Sequence, residues 1–152
     1  MEALRHLVVF TLDDRRYALH LSAVERVVPV VRITQWPKAP PIVLGVVNIA
    51  GSLVPAVDVR KRFRLPEREM RLGDHMIIAR NSRRPVALIV DAAVGVIERS
   101  ESEITAAANI LPSADYIEGV AKVDDDLILI HDLDTFLTPL EERELEQAMT
   151  LN

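Results

Sequence analysis

At 152 residues the chain suits one domain, or two small lobes sharing a core, and 49% hydrophobic with 27% charged residues excludes a disordered tail. With no cysteine there is no disulfide framework, zinc–thiolate site or Cys nucleophile, and 4% aromatic content argues against a base-stacking surface. The net charge of −5 hides a division, because residues 1–85 hold 15 Lys+Arg against 8 Asp+Glu while residues 86–152 hold 3 against 15.

The elements predicted in chain order are mostly short Val/Ile/Leu-rich strands separated by turn residues. Residues 7–12 form a six-residue apolar run that reads as a strand buried on both faces. Asp13-Asp14 makes the turn, and the alternating residues 16–21 complete a hairpin. Ser22-Ala23-Val24-Glu25 fits a capping box and predicts one or two helical turns starting at Ser22. Residues 27–33 return to strand, and three prolines around Trp36 mark a stiff loop. Residues 43–49 and 53–57 are strands joined by a tight turn, the second peripheral at Pro55 because proline cannot donate to a ladder. Residues 58–63 suggest a short helix with Asp58 at its positive end, and 64–74 a basic connection. Further strands are expected at 76–79, 85–90, 94–99, 120–123 and 127–130, with a second Ser-x-x-Glu start at Ser100. Thr138-Pro139-Leu140-Glu141 carries the cap, proline and acid of a helix start, so a helix is expected from about 139 to 149. The pattern is an all-β barrel or sandwich with a few small helices.

No apolar run approaches the roughly 20 residues of a membrane span, and the N-terminal run meets Asp13-Asp14-Arg15-Arg16 too soon for a signal peptide. The expectation is a soluble, intracellular protein without direct membrane insertion. Self-comparison adds organisation. Setting Gly45 on Gly119, an offset of 74, brings Leu53 onto Leu127, Asp58 onto Asp132 and Val59 onto Leu133. Upstream the offset is 69, with Ala18-Leu19 on Ala87-Leu88. Any two hairpins share apolar alternation and a turn, but identical spacing from Gly to Asp favours two copies of a five-strand unit.

Reactive constellations are not nominated. The four histidines lack metal-ligand spacing, and His131 beside Asp132 reads more simply as a strand end next to a helix cap. Asp124 to Asp126 lacks the frame of a calcium loop, and no nucleophile elbow, phosphate loop or dinucleotide fingerprint occurs. The reading is therefore no catalytic residue, no metal and no cofactor. Arg60, Lys61, Arg62, Arg64, Arg68 and Arg71 are the best argument for nucleic acid, but the acidic second half would repel a phosphate backbone, so no nucleic-acid partner is expected. Val24, Val27, Val28, Val30 and Val31 exceed what one half-buried strand needs, which points to protein recognition.

Asn48-Ile49-Ala50-Gly51-Ser52-Leu53-Val54-Pro55-Ala56-Val57-Asp58-Val59-Arg60 resembles the signature N-L-R-G to D-L-R of the CheW family of chemotaxis coupling proteins. Val9-Phe10-Thr11-Leu12 with Tyr17-Ala18-Leu19 is similar to its first hairpin, and Val90-Asp91-Ala92-Ala93-Val94 to its V-D-x-V segment. The likeness covers about residues 7–137. It implies one CheW-like domain over 1–152: two five-stranded SH3-like barrels around a shared middle core, and a C-terminal helix. The expected lobes are 13–80, basic, and 81–137 plus the N-terminal strand, acidic, followed by the helix at 138–152. The resemblance implies a cytoplasmic, non-catalytic adaptor that joins chemoreceptor cytoplasmic tips to the regulatory domain of the histidine kinase CheA in membrane-attached arrays. By position, Val24, Val27, Val28, Ile49, Ala50, Val54 and Val96 are its receptor-contact candidates, and Ile104, Thr105 and Ile110 its kinase-contact candidates. Where the family has Arg this chain has Ala50, and Arg26 stands at the position of the acid that often faces that Arg. Losing both together avoids a stranded charge. The alternative is a divergent CheW-like module of a motility or second-messenger pathway, and behind it a small enzyme or nucleic-acid-binding barrel.

Overall fold

The computed structural model describes residues 3–106 and 117–150. Five strands, β3 (Val24–Pro29), β4 (Val43–Ile49), β5 (Ser52–Val57), β6 (His75–Arg80) and β7 (Pro85–Val90), form one sheet in the order β3-β6-β7-β5-β4. The other sheet, in the order β8-β1-β2-β11-β10-β9, takes β1 (Leu4–Leu12), β2 (Arg15–His20), β8 (Ala92–Ser100), β9 (Ile104–Ala106), β10 (Ile117–Val123) and β11 (Asp126–His131). Helix α1 (Val59–Arg62) follows β5, α2 (Leu133–Phe136) follows β11, and α3 (Pro139–Thr150) ends the described chain.

Each sheet curls around its own small core. Val47, Val54, Ala56, Met76, Ile78 and Ala87 fill the five-stranded one, and Leu7, Val9, Ala18, Ala121, Ile128 and Ile130 the six-stranded one. Residues of opposite parity, among them Leu19, Val57, Ile77 and Leu88, point the other way. There they meet Phe136, Leu137 and Leu145 in a third core shared by both sheets. Strands β2, β5, β6 and β7 are thus buried on both faces, which is why they read as near-continuous apolar runs.

The duplication is visible in space. Both halves use a β-bulge at the same place, between Val43 and Gly45 and between Ile117 and Gly119. In both, an Ile-Thr pair crosses the glycine: Thr34 bridges Val46, and Thr105 pairs with Val120. A Cβ on Gly45 would lie 2.2 Å from the Thr34 carbonyl oxygen, and one on Gly119 would lie 3.0 Å from that of Thr105. Asp58 and Asp132 each cap the helix after the repeat, accepting from the amides of Lys61 and Asp134. Strand β9 is therefore the extended form of a contact that is a single bridge in the other sheet, and two five-stranded units underlie the observed five and six.

Some expectations need correction. The continuous stretch 24–90 builds the five-stranded sheet. So β2, which a boundary at 13–80 placed in the basic lobe, lies in the six-stranded sheet, and β7 lies in the five-stranded one. The charge division survives, with 12 Lys+Arg against 5 Asp+Glu in residues 24–90 and 6 against 18 in the rest. No helix starts at Ser22: a single 3-10 turn spans Leu21–Ala23 and Val24 is already strand. Residues 30–33 lie outside β3. Strand β5 is interior rather than peripheral, yet its ladder to β7 covers only Ala56 and Val57, so Pro55 falls just outside it.

Candidate partner-binding surfaces

Among the described residues strand β3 pairs only with β6, and β8 only with β1, so each is an edge of its sheet. An edge strand leaves a row of backbone groups open on one side and must be managed by twist, bulge or charge. Both carry bulges here: the register shifts between Val24 and Arg26, and Val94 is the extra residue between Ala93 and Gly95. The bulge on β8 leaves Val94, Gly95 and Val96 all exposed, with Val96 at 53%. On β3, Val27 is 38% exposed, while Val24 and Val28 are half-buried against the middle and five-stranded cores.

The other receptor-contact candidates separate. Ala50 is exposed at the hairpin tip, where it and Gly51 both have left-handed backbone (φ 51° and 88°). Asn48 Oδ1 accepts from the Gly51 amide at 2.9 Å and holds that tip. Ile49 (9% exposed) and Val54 (3%) belong to the interior of the five-stranded barrel. They support the surface from behind and are corrected as contact residues. At the opposite edge of the six-stranded sheet, Thr105 is exposed on β9, and Ile104 is half-buried against that barrel's core. Ile110 lies outside the described residues.

Sequence reasoning missed an ionic cluster where the two sheets meet. Arg60 of α1, only 8% exposed, donates to both Asp91 oxygens at 2.8 and 3.0 Å and lies 2.9 Å from Asp13 Oδ1. Arg68 grips Asp74 through two bonds of 2.9 and 3.0 Å and also donates to Asp91. The Asp13 amide donates to Asp91 Oδ2 at 2.8 Å, and the Arg71 amide to Asp74 Oδ2 at 2.8 Å. Burial alone would push the Asp91 carboxyl up, but the bonds from Arg60, the Asp13 amide and Arg68 more than offset it and hold it below its ordinary value. The same balance, with Arg68 and the Arg71 amide as donors, depresses Asp74. The final Arg of the D-L-R run thus meets the Asp of V-D-x-V, 31 residues further on. Both motif residues were visible in the sequence, and their pairing was not.

A second set of contacts docks α3 on the basic lobe. Glu142 is buried 3.4 Å from Arg84 and accepts from Asn81 at 3.3 Å. Glu141 pairs with Arg62 and closes a capping box with Thr138. The His131 ring, at the end of β11, stacks on Phe63 with centroids 4.0 Å apart.

A cleft of about 570 Å³ runs beside the 64–74 loop, with Ile33, Leu44 and Ile89 among its apolar lining residues. Arg60, Arg68, Asp74 and Asp91 in its wall are bonded among themselves, to Asp13 and to nearby backbone groups, and Asp58 accepts from the α1 backbone. Among the described residues no group of three or more His, Cys, Asp or Glu is placed to hold a metal ion.

Comparison with known proteins gives a consistent result. Residues 6–141 match the CheW-like domain family. The chain is 30% identical over 142 residues to the "Chemotaxis protein CheW" of Rhizobium meliloti, covering 92% of this chain and 91% of that one. It is 32% identical over 133 residues to the protein of the same name from Bacillus subtilis, covering 86% and 85%. Among solved structures it is similar to the scaffolding protein TtCheW from Thermoanaerobacter tengcongensis, with a TM-score of 0.82 and 31% identity, covering 93% of this chain and 96% of that one.

Proposed function

The chain belongs to the CheW-like domain family, and on that premise we propose that it is a chemotaxis scaffold that couples chemoreceptors to the histidine kinase CheA by binding alone. The observation that carries the reading is the pair of bulged edge strands, β3 and β8, which present Val27 and Val96 to solvent from different lobes. The receptor's cytoplasmic tip packs against Val24, Val27, Val28, Ala50 and Val96. The kinase regulatory domain meets the far edge of the six-stranded sheet around Ile104 and Thr105, and Ile110 is the third residue assigned to that contact from the family resemblance. Apolar anchors supply affinity, and the basic and acidic lobes supply orientation. Among the described residues no helix is long and apolar enough to cross a membrane. The protein reaches the membrane-attached array through its partners.

Titration calorimetry against a receptor-tip fragment and the CheA regulatory domain tests this. Val27→Asp and Val96→Asp each weaken receptor binding by about tenfold or more, the range of an interface anchor. Kinase binding stays intact. Receptor affinity indifferent to both substitutions would refute the assignment. Kinase binding is expected to weaken with ionic strength if lobe charge orients it. The relatives' names favour chemotaxis over a motility or second-messenger pathway, and a deletion strain that climbs gradients normally would count against it.

A further inference from the structure

The register His75↔Val90 places Asp74 and Asp91 opposite one another, one step beyond the end of the β6–β7 ladder. Two carboxylates so placed repel, and each would loosen the strand ends that carry it. Those ends matter beyond β6 and β7. The Asp74 carbonyl accepts the Val30 amide at 3.2 Å, just after β3 ends, and Pro29 of β3 pairs with His75. Asp91 is the single residue between β7 and β8, and its amide donates to Thr11 of β1 at 3.0 Å. One carboxylate therefore sits at the root of β3, and the other at the root of β8. Arg68 is the side chain that bridges them, with one guanidinium bonded to both. Arg60 and the Asp13 carboxylate complete the charged surroundings, making three acids against two arginines.

We infer that Arg68 is a positioning residue that sets the spacing and relative orientation of β3 and β8, the two valine-bearing edge strands. The inference deepens the receptor-binding reading and rests on it only for its functional consequence. Without Arg68 the group holds three acids against Arg60 alone, Asp74 and Asp91 face each other across the strand ends, and the roots of β3 and β8 separate. Lysine does not substitute, because a single ammonium cannot reproduce a planar fork bonded to two carboxylates.

The absence of cysteine allows two spin labels to be attached without background, at Arg26→Cys on β3 and Val94→Cys on β8. The distance distribution between them is expected to broaden or shift in Arg68→Met and in Arg68→Lys. It should narrow again in Arg68→Met/Asp74→Asn, where Asp91 no longer faces a second carboxylate and Asn keeps an acceptor for the Arg71 amide. In unlabelled protein, Arg68→Met should weaken receptor-tip binding by about fivefold or more, the reach of an indirect coupling residue. Binding of the CheA regulatory domain should stay within about twofold, a separation that general loss of stability would not produce. A distribution unchanged in Arg68→Met overturns the inference. So does a double variant as broad as the single one, which would show that carboxylate repulsion is not the cause. A changed distribution with undiminished receptor affinity would uphold the clamp and refute the receptor surface instead.

Discussion

Gly45 and Gly119 occupy the same place in the repeat, and the same substitution should have unequal effects at the two. In Gly45→Ala the new methyl would meet the Thr34 carbonyl oxygen at 2.2 Å and Ile33 Cγ2 at 2.8 Å. An ordinary carbon–oxygen contact is about 3.3 Å, so the backbone must retreat by about 1 Å. That retreat breaks the paired bonds Thr34 N–H to Val46 C=O (2.9 Å) and Val46 N–H to Thr34 C=O (2.8 Å). Two bonds at about 1 kcal/mol each, with about 1–3 kcal/mol of overpacking strain, give a loss of about 3–5 kcal/mol. At Gly119 the nearest atoms are at 3.0 and 3.1 Å, so a shift of a few tenths of an ångström suffices. The lower entropy of an unfolded chain with Ala offsets part of that, and the net change stays within about 1 kcal/mol. Urea unfolding reads the difference: with a slope of about 2 kcal/mol/M, Gly45→Ala lowers the midpoint by about 2 M and Gly119→Ala by less than about 0.5 M. Equal shifts, or a larger one at Gly119, would refute the argument from close approach. Gly45→Asp adds a charge against the same carbonyl and should unfold the five-stranded lobe outright.

Other outcomes follow from the cores and the ion pairs. Leu145→Ala removes a wholly buried side chain of α3 from the shared middle core and should cost about 3 kcal/mol in equilibrium unfolding; a loss below 1 kcal/mol would mean the helix is not part of that core. Arg60→Met leaves Asp91 with Arg68 and the Asp13 amide as its remaining donors and takes the guanidinium away from Asp13; it should destabilise by about 2 kcal/mol, less than a fully buried pair because the Asp91 and Asp13 side chains are 26% and 38% exposed. Asp74, Asp91 and Glu141 all have carboxyls held below their ordinary values in the fold. The unfolded chain therefore binds more protons near pH 4, and the stability they confer is fully present above that range and lost as pH falls through the depressed values. Urea midpoints should fall steeply below about pH 4 and less steeply in Asp91→Asn; a midpoint flat down to pH 2 would contradict this.

Periodicity and capping rules reached most of the strands, because paired apolar faces and turn residues are local properties. The Gly45–Gly119 offset also carried the duplication, since in both halves a crossing segment comes close to the backbone at that spot and favours glycine there. Lobe membership was not legible. The ladders joining β5 to β7 and β11 to β2 are parallel, and they connect strands far apart in the chain, so no local signal reports them. Ser22-Ala23-Val24-Glu25 fits a capping box by composition, yet pairing of Val24 with Ala79 draws the chain into a sheet after one turn. Among the site residues, exposure at Val27 fits an excess of valine over what one strand face requires, whereas Val96 was reached only by its position in the family resemblance. Ile49 and Val54 could not be told from them, because burial on one face of a curled sheet depends on which way the curl closes. The pairing of Arg60 and Arg68 with Asp91 and Asp74 is long-range chemistry without a periodic trace.

The five-stranded lobe is one continuous insertion, and the chain enters it through residues 21–23 and leaves it through Asp91. A body hung from two points can still swing about the line joining them. Here the swing is resisted by the oily layer between the lobes, and by α3, which reaches back from the outer lobe and latches onto Arg62 and Arg84. Any partner wedged between the lobes would push against that one soft coordinate, and the axle on which it turns has Asp91 at one end.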